Sequence, residues 1–161
     1  MKRIIFIRHA KAEEPTSEIT DFERSLTMKG KIISKQMANL LMDKGAIPGV
    51  ILTSPAFRAA ETAIIFAEEY GIRTDSIILN DNIYYRMNFT NLPVLLSLVS
   101  EEVDTIAIVG HNPSLTEVAD NLSREGCDFL PKCGIASIKF NVSTWSEVRR
   151  NSGRLEYLLK P

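Results

Sequence analysis

Short β-branched runs alternate with longer stretches of helical period along the chain, and few architectures accept that alternation. The runs "RIIFIR", "GVILTS", "SIIL", "TIAIVG", "GIASIKFNV" and "RLEYLLK" have the length and residue types of strands. Between them, Ile33, Met37, Leu40 and Leu41 recur at spacings of three and four, and so do Phe57, Ala60, Ile64 and Ala67. Leu92, Leu95, Leu96 and Val99 repeat the pattern, followed by Leu115, Val118, Ala119 and Leu122. Each set predicts a helix with these residues facing the core. The whole predicts the α/β class: a three-layer α/β/α sandwich with a mostly parallel central sheet and helices on both faces. At 161 residues, 45% of them apolar and with no repeat or linker, the chain is expected to form a single domain over 1–161.

Bulk properties exclude more than they assign. A net charge of −1 with acidic and basic residues interspersed argues against nucleic acid and against a polybasic membrane anchor. No run approaches the ~20 apolar residues of a membrane span, and the N-terminus has no signal-peptide pattern, so a cytoplasmic location is expected. Cys127 and Cys133 form no metal-ligand spacing and no disulfide framework, and read as two reduced thiols.

Three of the predicted strands end in polar residues of one kind: "IIFIRHAK", "VILTSPAFR" and "IAIVGHNPS". Ligands of open α/β sheets gather outside the carboxyl ends of the strands, so Arg8, His9, Arg58 and His111 can converge although far apart in sequence. Ser54 is expected to cap the helix after the second strand, with Pro55 at its first position, which lets Arg58 reach back toward the strand ends. The helix after "GHNPS" adds free N–H groups and a positive dipole end. His9 and His111 are the only histidines in the chain. A metal site is the rival for two histidines, but two nearby arginines repel a cation, and no Asp or Glu within these motifs supplies a third ligand. Anion binding fits better.

In order and spacing, "RHA", "LTMKG", "SPAFRAAETA" and "GHNPSL" resemble the histidine phosphatase, or phosphoglycerate mutase-like, superfamily over nearly the whole chain. The small size, "RHAKAE", the "ERSLT" spacing and the late "GIASIKFNVSTW" and "GRLEYLLKP" segments look most like its short SixA-type phosphohistidine phosphatases. Ser25 departs from the proline that such relatives commonly carry before the leucine.

The resemblance implies a phosphatase in which His9 takes the phosphoryl group while Arg8, Arg58 and His111 bind its oxygens, with no cofactor. The chemistry is coherent, because a neutral imidazole attacks phosphorus in line and guanidinium groups hold the oxygens on which transition-state charge spreads. Asp81 in "LNDNIYY" resembles the general acid of the mutase-like branches; a loop aspartate capping a turn is the alternative. Lys11 to Asp21, acidic and rich in small polar residues, either borders the pocket or, the preferred reading, is a solvated connector. The absence of a long insertion favours phosphohistidine on a protein as substrate over a small phosphate ester. A small-molecule phosphomonoesterase and a noncatalytic phosphate-binding module are the alternatives. Because the positive field comes from protein groups, turnover of an aryl phosphate is expected to survive EDTA; complete loss on chelation, restored by a divalent ion, would contradict the arginine-pocket reading.

Overall fold

The computed structural model describes residues 1–85 and 87–161. Six strands form one sheet: β1 (Lys2–Arg8), β2 (Val50–Thr53), β3 (Ile77–Leu79), β4 (Thr105–Gly110), β5 (Ile135–Phe140) and β6 (Arg154–Leu159), in the order β3-β2-β4-β1-β5-β6. The pairings β3-β2, β2-β4 and β4-β1 are parallel, while β5 runs antiparallel to both β1 and β6. Each strand-like run of the sequence is therefore a strand, and the sheet is mostly parallel.

β1 shows why the strand is central. Ile4 and Phe6 face one core layer and Ile5 and Ile7 the other, and all four are fully buried. Such side chains contribute about 1.5–3 kcal/mol each on burial. The first layer is covered by α3 (Asp81–Tyr85), α4 (Leu92–Leu96) and α5 (Ser114–Leu122), the second by α1 (Met28–Asp43) and α2 (Phe57–Tyr70). No helix among the described residues is long and apolar enough to cross a membrane.

The stripes expected on α4 and α5 are buried as predicted. The stripe on α1 is largely buried, Met37 and Leu41 in the core and Ile33 packed against it, but that on α2 is out of phase. Leu40, Phe57 and Ile64 are exposed and Ala60 is only half-buried, whereas α2 buries Arg58, Ala59, Thr62, Ala63, Phe66 and Ala67. Spacing by threes and fours leaves the phase of a helix free by about one residue. Here the buried face of α2 is the one that carries Ala59, Ala63 and Ala67 beside Phe66, and Phe57 and Ile64 turn outward. The start of α2 also differs from expectation. Its N-cap is Ala56 and its first residue Phe57, so Ser54 and Pro55 lie before the helix. Ser54 instead accepts the Ala56 N–H through its hydroxyl at 3.2 Å, which frees it for another partner.

The "LTMKG" segment is a clamp between α1 and the loop after β1. Thr27 is the N-cap, and its hydroxyl accepts the Gly30 N–H at 3.0 Å. The Thr27 N–H and hydroxyl both donate to the Lys11 carbonyl, at 2.9 and 3.2 Å. Gly30 packs directly on Lys11: a Cβ there would stand 2.1 Å from the Lys11 carbonyl oxygen. Since backbone cannot swing aside as a side chain can, Gly30→Ala is expected to destabilise the fold by about 1–3 kcal/mol and to displace the segment that leads out of His9. Thermal unfolding of the variant, with turnover measured below its transition, checks this; a stability equal to the parent would contradict the clamp.

Candidate active site

Strand register brings the site together. Arg8 lies opposite Gly110 in the β1-β4 pair, and Thr53 lies opposite Val109 in the β2-β4 pair, so the three strands end nearly level. The ladder continues one step beyond: His9 N–H donates to the Gly110 carbonyl and Ser54 N–H to the Val109 carbonyl, both at 3.0 Å. Arg8, His9, Ser54 and His111 thus leave one edge of the sheet. Arg58 joins them from the second position of α2, only 6% exposed.

His9 is 8% exposed and its ring is oriented by two contacts. Nδ1 lies 2.8 Å from the Ala10 carbonyl oxygen, which can only accept, so Nδ1 carries the proton. The lone pair is then on Nε2, which accepts from Arg58 Nε at 3.3 Å. The His111 ring stands 5.0 Å from that of His9, centroid to centroid. Its Nε2 is 2.8 Å from the Ser54 hydroxyl. That hydroxyl accepts from Ala56 and, among the described residues, has only His111 Nε2 to receive its own proton; in that arrangement the ring proton of His111 is on Nδ1, an N–H donor. This Nδ1 and Arg8 Nε are both buried and have no hydrogen-bond partner among the described residues. Buried donors are rarely left so, and two in one cluster mark a place for an oxyanion.

The remaining motif residues hold this arrangement. Thr62 accepts the Ala10 N–H at 3.1 Å and donates to the Arg58 carbonyl at 2.7 Å, tying the segment after His9 to α2. Glu61 accepts the Leu26 N–H at 3.0 Å. Arg8 Nη1 and Asn112 Nδ2 both donate to the Leu130 carbonyl, at 3.0 and 2.9 Å. The Arg8 guanidinium also lies 5.3 Å from the centre of the Phe129 ring. Cys133 N–H lies 3.1 Å from the carbonyls of Arg8 and His9. The irregular stretch before β5 is therefore part of the site, which no sequence pattern indicated. Cys127 and Cys133 are free thiols.

Four of the five residues named from sequence come together: Arg8, His9, Arg58 and His111. Asp81 does not join them. It is exposed in the first turn of α3, with no hydrogen bond or ion pair to any of the four among the described residues. What α3 sends to the site is Tyr84, whose ring meets that of His111 edge-on at 5.3 Å. The segment Lys11 to Asp21 is more than a solvated connector, because Asp21 forms an ion pair with Arg58. Ser54, Asp21, Tyr84 and Leu130 are the participants that sequence reasoning missed. Ser54 alone had a signal, its place within "SPAFR".

Burial sets the protonation of both histidines. Desolvation, with the His111, Arg58 and Arg8 charges and against the Ala10 hydrogen bond, pushes the pKa of His9 down to about 3. Desolvation and the Arg58 and Arg8 charges, opposed by Asp21, push that of His111 down to about 4. Both rings are neutral at physiological pH, as a nucleophile and a neutral N–H donor require. Below the ordinary value of about 6.5 the unfolded chain takes up protons that the native chain refuses. The stability contributed by these rings is thus present above about pH 6.5 and is lost as pH falls toward the folded values. With only two histidines in the chain, NMR reads this directly: neither ring is expected to titrate between pH 8 and pH 5.5, and His9 should show the Nδ1–H tautomer. A midpoint near 6.5 for either would contradict the buried, neutral pair.

No family model matches the chain. An uncharacterised chloroplastic protein of Arabidopsis thaliana is 26% identical over 176 residues, covering 99% of this chain and 78% of its own. Among solved structures, one from Agrobacterium tumefaciens assigned to the SixA phosphohistidine phosphatases is 25% identical with a TM-score of 0.80, over 99% of this chain and 98% of that one. The protein histidine phosphatase SixA complexed with tungstate is 21% identical with a TM-score of 0.82, over 99% and 97%. The mixed six-stranded sheet with helices on both faces is thus the histidine phosphatase, or phosphoglycerate mutase-like, fold in its SixA form.

Proposed function

We propose that the protein is a phosphohistidine phosphatase that hydrolyses phosphoryl groups, from phosphohistidine on a protein, through a covalent intermediate on His9. The observation that carries this reading is the pair of buried, unpartnered donors, Arg8 Nε and His111 Nδ1, in one cluster with an imidazole whose lone pair is on Nε2, held there by the Arg58 Nε–H at 3.3 Å. The similarity to SixA structures supports the same chemistry.

His9 Nε2 attacks phosphorus as the bond from phosphorus to the leaving imidazole nitrogen breaks. Positive charge grows on the His9 ring, and the Ala10 carbonyl, already bound to Nδ1–H, stabilises it. Arg8, Arg58 and His111 donate to the equatorial oxygens. Water then attacks the phosphoryl group, the bond to Nε2 breaks, and phosphate leaves. A phosphoramidate needs little help in departing, since its nitrogen is readily protonated. The pocket charge is supplied by protein groups, so no cofactor enters the proposal.

The test is incubation with a phosphohistidine-bearing protein and with a panel of small phosphate esters. The phosphoprotein should be the better substrate, labelled substrate should leave an acid-labile adduct on His9, and His9→Ala should lose turnover while remaining folded. Arg58→Lys should lower turnover by roughly 10- to 1,000-fold, because an ammonium cannot replace a fork of fixed donors. A label mapped to His111 would reverse the roles, and faster turnover of small esters would point to a phosphomonoesterase.

A further inference from the structure

Asp21 is half-exposed in the loop between β1 and α1, yet its carboxylate and carbonyl collect four hydrogen bonds from three side chains. Arg24 Nη1 donates to Oδ1 at 2.8 Å. Tyr84 Oη and Arg58 Nη2 each donate to Oδ2 at 2.9 Å. Arg58 Nη1 donates to the Asp21 carbonyl. The carboxylate is itself held: Arg24 is anchored by its Nε to the Glu13 carbonyl at 2.6 Å, and the Tyr84 ring rests against Phe22 at 5.4 Å.

A planar guanidinium presents two forks of parallel N–H groups, an end-on fork made by Nη1 and Nη2 and a side-on fork made by Nε and Nη2. The end-on fork of Arg58 is filled by Asp21, through the carbonyl and Oδ2. Its Nε, on the side-on fork, points at His9 Nε2. We infer that Asp21 is a positioning residue for phosphoryl transfer: by filling the end-on fork of Arg58 it turns the side-on fork toward the phosphoryl group on His9 Nε2. This rests on the proposed reaction at His9.

Two other roles fit less well. Although desolvation opposes it, hydrogen bonds from Arg24, Tyr84 and Arg58 and the Arg58 charge hold the Asp21 carboxyl well below the usual carboxylate range, so it has no proton to give a leaving group. A surface ion pair serving stability alone contributes little and does not need three convergent donors. A carboxylate beside an oxyanion site also repels the substrate, a cost that orientation of Arg58 must exceed. The inference therefore separates binding from turnover. Loss of the carboxylate removes repulsion of the ground-state anion and at the same time releases the fork needed as charge develops. Through Tyr84, the same carboxylate also steadies the ring that packs against His111.

The experiment compares the parent protein, Asp21→Ala, Asp21→Asn, Arg58→Lys and the double variant Asp21→Ala/Arg58→Lys, with an aryl phosphate as substrate and inorganic phosphate as inhibitor. Asp21→Ala is expected to lower kcat roughly 10- to 100-fold, while inhibition by phosphate is unchanged or tighter. Asp21→Asn, which keeps a neutral acceptor, should fall between. In the Arg58→Lys background the same Asp21→Ala change should cost less than about threefold, since the group through which Asp21 acts is gone. A kcat for Asp21→Ala within about twofold of the parent, or the same loss in both backgrounds, overturns the inference. A readout independent of turnover is the Nε–H resonance of Arg58, identified by its loss in Arg58→Lys. Phosphate should shift it in the parent and not in Asp21→Ala; an equal shift in both overturns the inference. A parent protein that turned over no phosphate compound would defeat the phosphatase reading while leaving this resonance to decide the role of Asp21.

Discussion

Burial of the Arg58 guanidinium imposes more on this structure than any other single interaction. A charge that is 6% exposed must be paired and hydrogen-bonded or its desolvation cost is several kcal/mol. The pairing comes from Asp21 on the loop after β1, and the loop can supply it only because it is pinned elsewhere. Lys11 is clamped to Thr27 and packed on Gly30, Leu26 is held by Glu61, and Arg24 reaches back to Glu13. Thr62 then joins α2 to Ala10, one residue beyond His9. The first loop and α2 are in this way one assembly, and Arg58 is its centre.

The two histidines depend on the same burial. In water each ring would be partly protonated near neutral pH, and a protonated His9 has no lone pair with which to attack phosphorus. Desolvation and the neighbouring arginines hold both rings neutral, and backbone and hydroxyl partners select the tautomers: the Ala10 carbonyl for His9, the Ser54 hydroxyl for His111. A positively charged pocket thus serves twice. It binds an oxyanion, and before the anion arrives it keeps its own nucleophile unprotonated. The density of donors around one lone pair is what distinguishes this end of the sheet from an ordinary set of strand termini.

The fold was legible in sequence almost throughout, because alternation between strand and helical periods is a local property. Each predicted strand exists, and α4 and α5 bury the residues their spacing marks. The stripe on α2 was misread, since periodicity defines a helix without setting its rotation to better than about one residue. Which face of α2 turned inward was settled by the fit of Ala59, Ala63 and Phe66 into the layer between sheet and α1. At the site, Arg8, His9, Arg58 and His111 were readable because strand ends are readable and because such residues seldom follow apolar runs together. Asp81 was named from its place after a strand, and the structure brings Tyr84 of the same helix to the pocket instead.

By itself the sequence determined the alternation of elements, the mostly parallel sheet, and the residues that leave the carboxyl ends of β1, β2 and β4. These follow from hydrophobic period and from side-chain chemistry within a few neighbouring positions. Tertiary structure alone decided which fork of Arg58 faces His9, which nitrogen of His111 is left without a partner, and that Asp21, Ser54 and the Leu130 carbonyl take part. The contact of His9 with its neighbour Ala10 is local, but these choices are hydrogen bonds between residues far apart in the chain, 37 positions for Asp21 and Arg58 and 122 for Arg8 and Leu130. A bond of that range forms only once strand order and register have brought its partners to within about 3 Å, and no local pattern of residues encodes that distance.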